Sequence, residues 1–141
     1  MMKNKSFGAG VLIFLFIMGI NFAAAFAVSC ANYKGDASNP GNPVRLVAGQ
    51  SQDVAIILQD PQASEEFTIQ AAIASGSEVV QLVDGDRYTI GVGEKKRVIA
   101  RVRVPEGAEA GKIYPVDIKF TTVSNSEAGS FSLGSSISQS F

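Results

Sequence analysis

Three kinds of side chain in this 141-residue sequence could carry chemistry: one thiol, a row of guanidinium groups and a scatter of carboxylates. The thiol is Cys30, the single cysteine of the chain. The guanidinium groups are Arg97, Arg101 and Arg103, whose odd spacing puts them on one face of an extended segment. Such a stripe, with Lys95, Lys96 and Arg45 near it, suits an anionic partner face, and cross-strand carboxylates such as Asp117 could equally neutralise it. The carboxylates Asp84 and Asp86, with Asp60, Glu65 and Glu66, could place oxygens around a hard cation. They do not meet the spacing of a calcium loop, and Asp84-Gly85 is an ordinary hairpin-turn dipeptide, so no metal site is expected.

The inventory excludes more than it offers. With no His, neither His-ligated metals, Ser-His-Asp triads nor Cys-His dyads can be built. No motif gathers Ser with Lys or pairs two carboxylates, and Gly91-Val92-Gly93 is too short for a phosphate loop. A non-enzymatic protein without cofactor is expected. Twelve basic against 13 acidic side chains give a formal charge of -1, which is not the balance of a nucleic-acid binder.

Lys3 and Lys5 precede a stretch from Ser6 to Ser29 with no charge, apolar at Val11 to Ile20 and ending in small residues around Ala23-Ala24-Ala25-Phe26-Ala27. This is the layout of a secretory signal, so residues 1–29 read as a signal peptide or membrane anchor and the protein as extracytoplasmic. Three endings are open. Ala27-Val28-Ser29-Cys30 resembles a lipoprotein lipobox, with Ala27 where that family usually has Leu, and implies a lipid on Cys30. Ala25-Phe26-Ala27 alternatively supplies a cut after Ala27. Without a cut, the uncharged stretch is long enough to cross a hydrocarbon core of about 30 Å as a helix. Two of the three endings attach the chain to a membrane.

Residues 30–43 are rich in Gly, Pro, Asn and Ser and read as a flexible tether. From residue 44 the chain alternates. Val98, Ala100, Val102 and Val104 oppose the Arg positions, and Tyr114, Val116, Ile118 and Phe120 oppose Asp117, Lys119 and Thr121. The same period runs through Val54, Ile56 and Leu58, through Phe67, Ile69, Ala71 and Ile73, through Tyr88 and Ile90, and through Phe131, Leu133, Ile137 and Phe141. Residues 44–48 and 79–83 complete the runs. Turn chemistry separates them at Asp60-Pro61, Ser75-Gly76-Ser77, Asp84-Gly85-Asp86, Gly93-Glu94, Pro105-Glu106-Gly107 and Asn125-Ser126. The expected fold is all-β, an antiparallel sandwich of seven to eight strands over residues 44–141, preceded by a hydrophobic N-terminal helix. The neutral last run is expected to finish one sheet, or else to pair with the edge of another subunit.

The segment from Val102-Arg103-Val104-Pro105-Glu106-Gly107 to Tyr114-Pro115-Val116-Asp117-Ile118 resembles the penultimate hairpin of Ig-like and fibronectin type III-like modules of prokaryotic surface proteins. The resemblance implies an Ig-like sandwich, with Tyr114 at a structural corner where its hydroxyl meets a backbone group. The Cys-Trp-Cys pattern of antibody domains is absent. Export and a sandwich together lead to an envelope-attached module with a structural, assembly or adhesion role and a protein partner at the cell surface. The alternative is a carbohydrate-binding accessory domain, whose glycan would stack on Tyr33, Tyr88 or Tyr114.

Overall fold

Strands form where the sequence alternates, and glycine, proline and asparagine end them. The computed structural model of the protein describes residues 26–123 and 136–140. In chain order the described strands are β1 (Ala27–Cys30), β2 (Tyr33–Lys34), β3 (Gly41–Asn42), β4 (Ser51–Gln59), β5 (Phe67–Ser75), β6 (Val80–Leu82), β7 (Arg87–Ile90), β8 (Lys95–Arg103), β9 (Asp117–Val123) and β10 (Ser136–Ser140). One four-stranded sheet runs β1-β4-β8-β6 and the other β10-β9-β5-β7, while β2 and β3 form a separate small hairpin. Every pairing is antiparallel.

The two sheets close on one core because their alternations face each other. Val54, Ile56 and Leu58 of β4 and Val98, Ala100 and Val102 of β8 point inward from the first sheet. Ile69 and Ala71 of β5, Tyr88 and Ile90 of β7, and Ile118 and Phe120 of β9 meet them from the second. The fold is thus the expected all-β sandwich, and among the described residues its two sheets hold eight strands. Residues 63–74 could have been a helix by composition. Strand-forming Phe67, Thr68 and Ile69 with continued alternation make the stretch from Phe67 on strand β5 instead, and residues 63–66 lie in the loop before it.

Several local expectations are corrected by the structure. Residues 30–43 are not a free tether, since Cys30 closes β1 and residues 31–43 fold into the β2–β3 hairpin. Asn32 Nδ2 donates to the Asn42 carbonyl at 3.2 Å, and Asn42 Nδ2 to that of Ala31 at 2.9 Å. Asp36 Oδ1 accepts from Ser38 Oγ at 2.7 Å and from the Ser38 and Asn39 amides at 2.8 and 2.9 Å. Gly35 and Gly41 make the turn compact, because a Cβ on either would meet backbone atoms within 2.3 Å. The sandwich also begins before residue 44. β1 pairs with β4 from Ala27 opposite Gln59 to Cys30 opposite Ile56, and Phe26 is 2% exposed in the core.

Residues 44–48 keep Val44 and Leu46 half-buried but form no strand. Their chain turns early, with the Gln50 amide donating to the Val47 carbonyl and that of Gly49 to Val104. The expected hairpin across residues 102–118 is instead a crossover, because β8 belongs to the first sheet and β9 to the second. The Asp84-Gly85 turn likewise carries the chain from β6 to β7 in the other sheet. β10 pairs along β9, Ile137 opposite Phe120, as expected of a closing strand. The N-terminal apolar stretch, Phe131, Leu133 and Phe141 lie outside the described residues. Among the described residues no helix is long and apolar enough to cross a membrane.

Candidate functional site

The outer face of the first sheet gathers the predicted arginines. On β8, Lys95, Arg97, Arg101 and Arg103 point outward and are exposed, with half-buried Ile99 between them. Facing them on β4 in register are Gln59, Ile57, Asp53 and Ser51, with Ala55 opposite Ile99. The face therefore has a low apolar centre of Ala55, Ile57 and Ile99 within a cationic surround. Arg101 is held by Asp53 through two parallel bonds, Nε to Oδ1 at 2.7 Å and Nη2 to Oδ2 at 2.9 Å. The hydrogen-bonded guanidinium lowers the Asp53 pKa, and the carboxylate raises that of Arg101. Both side chains are about half exposed, so solvent screens the pair and its contribution to stability is small. Among the described residues Arg97 and Arg103 make no ion pair. Asp117, expected as a cross-strand partner, sits in the second sheet and accepts from Ser140 Oγ at 3.0 Å.

Arg97 also reaches a second environment. β6 pairs with residues 100–102 of β8, so among the described residues no strand pairs with β8 on that side along residues 95–98. There β7 of the other sheet comes close, and a shallow groove is lined by Asp84, Arg87, Tyr88, Thr89, Lys96 and Arg97. Three of the six are cations. Sequence spacing places Lys96 near the Arg97 stripe but carries no sign of Arg87, which joins them only because β7 of the second sheet comes beside β8.

The tyrosines exchange roles relative to expectation. The corner lies at Tyr88, whose ring is 2% exposed and whose hydroxyl donates to the Gly85 carbonyl three residues earlier. Burial raises the Tyr88 pKa, and the nearby Asp84 and Asp86 charges add to the rise. Tyr114 makes no such bond among the described residues. It lies before β9 begins, half-buried, with the Lys112 ammonium 5.0 Å from its ring centre, a cation–π contact. Tyr33 is half-buried and donates to Asn39 Oδ1 at 3.2 Å. A sugar-stacking surface therefore cannot include Tyr88, whose inward position on β7 makes it core.

The carboxylates do not converge. Asp60 is buried and caps its own turn, accepting from the Gln62 amide at 2.9 Å. It shares a pocket with Glu65, Phe26, Phe67 and Thr122, whereas Asp84 lines the cationic groove. Among the described residues no group of three or more His, Cys, Asp or Glu could hold a metal. Cys30 ends β1, half-buried against the core beside Ile56, and burial pushes its thiol pKa up. Phe26 and β1 went unread in sequence although the signal was present: Phe26, Val28 and Cys30 alternate inward within what looked like the end of an export signal.

In sequence, neither a family model nor a curated protein matches the chain. In structure it is similar to a FixG-related protein from Vibrio parahaemolyticus, with 8% identity and a TM-score of 0.46 over 82% of this chain and 94% of that one. It is also similar to a conjugative transposon lipoprotein from Bacteroides eggerthii DSM 20697, with 17% identity and a TM-score of 0.43 over 82% of this chain and 95% of that one.

Proposed function

We propose that the protein is an exported, non-enzymatic Ig-like module held at the cell envelope through its N-terminal segment. It serves in assembly or adhesion by presenting the outer face of its first sheet to an acidic protein surface. The Ig-like reading is supported by strand order. Setting aside the β2–β3 hairpin and β7, the remaining strands taken in chain order as A to G give A-B-E-D over G-F-C, the arrangement of constant-type Ig sandwiches. β7 is an additional edge strand beside C. The export reading rests on the charge-free run after Lys3 and Lys5.

The observation that carries the binding role is the distribution of charge. Arg97, Arg101 and Arg103 share one exposed face on which β4 and β8 offer one carboxylate, that of Asp53, in a chain whose formal charge is -1. The net field of the molecule does not attract a polyanion, so attraction must come from a local face. The full chain is expected to be retained on a polyanion matrix at low salt, and Arg97→Glu with Arg103→Glu to abolish that retention while leaving the thermal midpoint nearly unchanged. Wild-type protein that flows through at low salt would overturn the anionic-partner reading. Retention that also responds to sugar competitors but not to salt would point to a glycan instead.

A further inference from the structure

The N-terminal segment contributes a strand as well as an address. β1 is the outer strand of the first sheet, and its inward side consists of Val28 and Cys30, continued by Phe26 just before it. Phe26 is 2% exposed, and with Phe67 and Thr122 it closes one end of the sandwich. The strand covers β4 where Ile56 and Leu58 are completely buried. A cut before Cys30 would remove Phe26, Ala27, Val28 and Ser29, leaving the β4 edge unpaired and an aromatic vacancy at the sandwich end. A cut after Ala27 would remove Phe26. A lipid on Cys30 would also have to leave from a sulfur that packs toward the core, on a residue four positions into the folded domain.

We infer that the exported chain keeps residues 26–30 as a permanent strand of the sandwich, so that Cys30 is a core-side thiol and not a lipid attachment point. This rests on the export reading and changes how attachment works. The membrane is then held by the apolar residues upstream of Phe26, or the domain is released by a cut at or before the Ala25–Phe26 bond. Desolvation of the thiol agrees with the assignment, because a raised pKa leaves little of the nucleophilic thiolate at neutral pH.

The test uses the full-length chain, expressed with its own N-terminus and recovered from the envelope fraction, with intact mass and N-terminal mapping. A first residue at Phe26 or upstream, without acyl mass, is the expected result. A first residue at Val28, or at Cys30 with acyl mass, would overturn it. Alkylation supplies an independent readout: the Cys30 thiol should react at least about tenfold more slowly in the folded protein than in denaturant, and completely once unfolded. A thiol that stays unreactive in denaturant is already modified and defeats the inference, as does one that reacts equally fast in both states. If the chain is instead recovered from the cytosol with Met1 intact, the export reading fails, and the alkylation contrast alone decides the position of Cys30.

Discussion

Arg101 and Asp53 stand directly opposite each other across β8 and β4 and meet through two parallel hydrogen bonds of 2.7 and 2.9 Å. The pair fixes the middle of the cationic face, since it is the neutralised position between Arg97 and Arg103. Because the folded-state pKa of Asp53 is lowered, its stabilisation is present above the ordinary carboxylate pKa of about 3.9. It is lost as pH falls through the lower, folded value. Thermal unfolding of wild type and Asp53→Asn followed from neutral to acid should show a small advantage for wild type at neutral pH that vanishes at the acid end. A difference that persists unchanged at low pH would mean that the pair is not its source.

Tyr88 titrates in the opposite sense. Its pKa is raised, so the stability tied to the neutral phenol is complete below the unfolded value of about 10 and is lost as pH rises through the folded value. An absorbance titration of the three tyrosines should resolve one that ionises late, and Tyr88→Phe should remove that component. The same substitution loses the hydrogen bond to Gly85 and should cost about 1 kcal/mol in denaturant unfolding. A late component that survives in Tyr88→Phe would place the corner elsewhere.

The sandwich was legible because period two is a direct statement about two faces: Val98, Ala100 and Val102 had to be buried if Arg97, Arg101 and Arg103 were not. Connectivity was less legible. Turn dipeptides such as Asp84-Gly85 report that the chain turns, and not whether it returns to the same sheet, so two inter-sheet crossings read as hairpins. The corner was assigned to Tyr114 by resemblance, while Tyr88 had the better local geometry, three residues after a glycine with φ of 87°. Phe26 and β1 were hidden by a composition that admits two readings: apolar and small residues are the pattern expected at the end of an export signal, and they also alternate as a strand. The cationic groove depends on where β6 stops, which no local pattern encodes.

The uncovered part of β8 leads to a prediction about self-association. Among the described residues no strand pairs with residues 95–98 on the β6 side of β8, and an open edge invites pairing with another chain. Lys96 stands there at an inward-facing position where the strand otherwise carries valine or alanine, and an inward charge resists such pairing. Lys96→Val should therefore raise the apparent mass in light scattering as concentration rises, while wild type stays unchanged. A variant that remains monodisperse over the same range would show that β7 already protects the edge.

Gly76 and Gly111 separate backbone strain from crowding, because both have φ of 80°. A Cβ at Gly76 would lie 2.7 Å from Val116 Cγ2 and 2.9 Å from the Pro115 carbonyl oxygen, whereas at Gly111 nothing lies within 4 Å. Gly111→Ala should cost only the left-handed backbone penalty, about 1–2 kcal/mol. Gly76→Ala carries the same penalty and must also displace Pro115 and Val116, just before β9, so its loss in denaturant unfolding should be clearly larger. Equal losses would mean that the 75–79 turn and Val116 move apart freely.

Ala71 and Phe120 pair in register across β5 and β9, both within the core, and a small residue beside a large one is how that layer fills. Phe120→Ala alone should cost about 3–5 kcal/mol, since it removes a completely buried ring and leaves a cavity. Ala71→Leu alone should cost about 1–3 kcal/mol, because the added carbons compete with the ring for occupied space. Together the leucine fills part of the volume the ring gave up, so the double variant should be more stable than the sum of the two losses implies. A coupling of at least about 0.5 kcal/mol in the double-mutant cycle is expected for neighbours that share one cavity. Strict additivity would instead mean that the two side chains occupy separate layers of the core and that the Phe120 ring is accommodated by the facing strands β4 and β8.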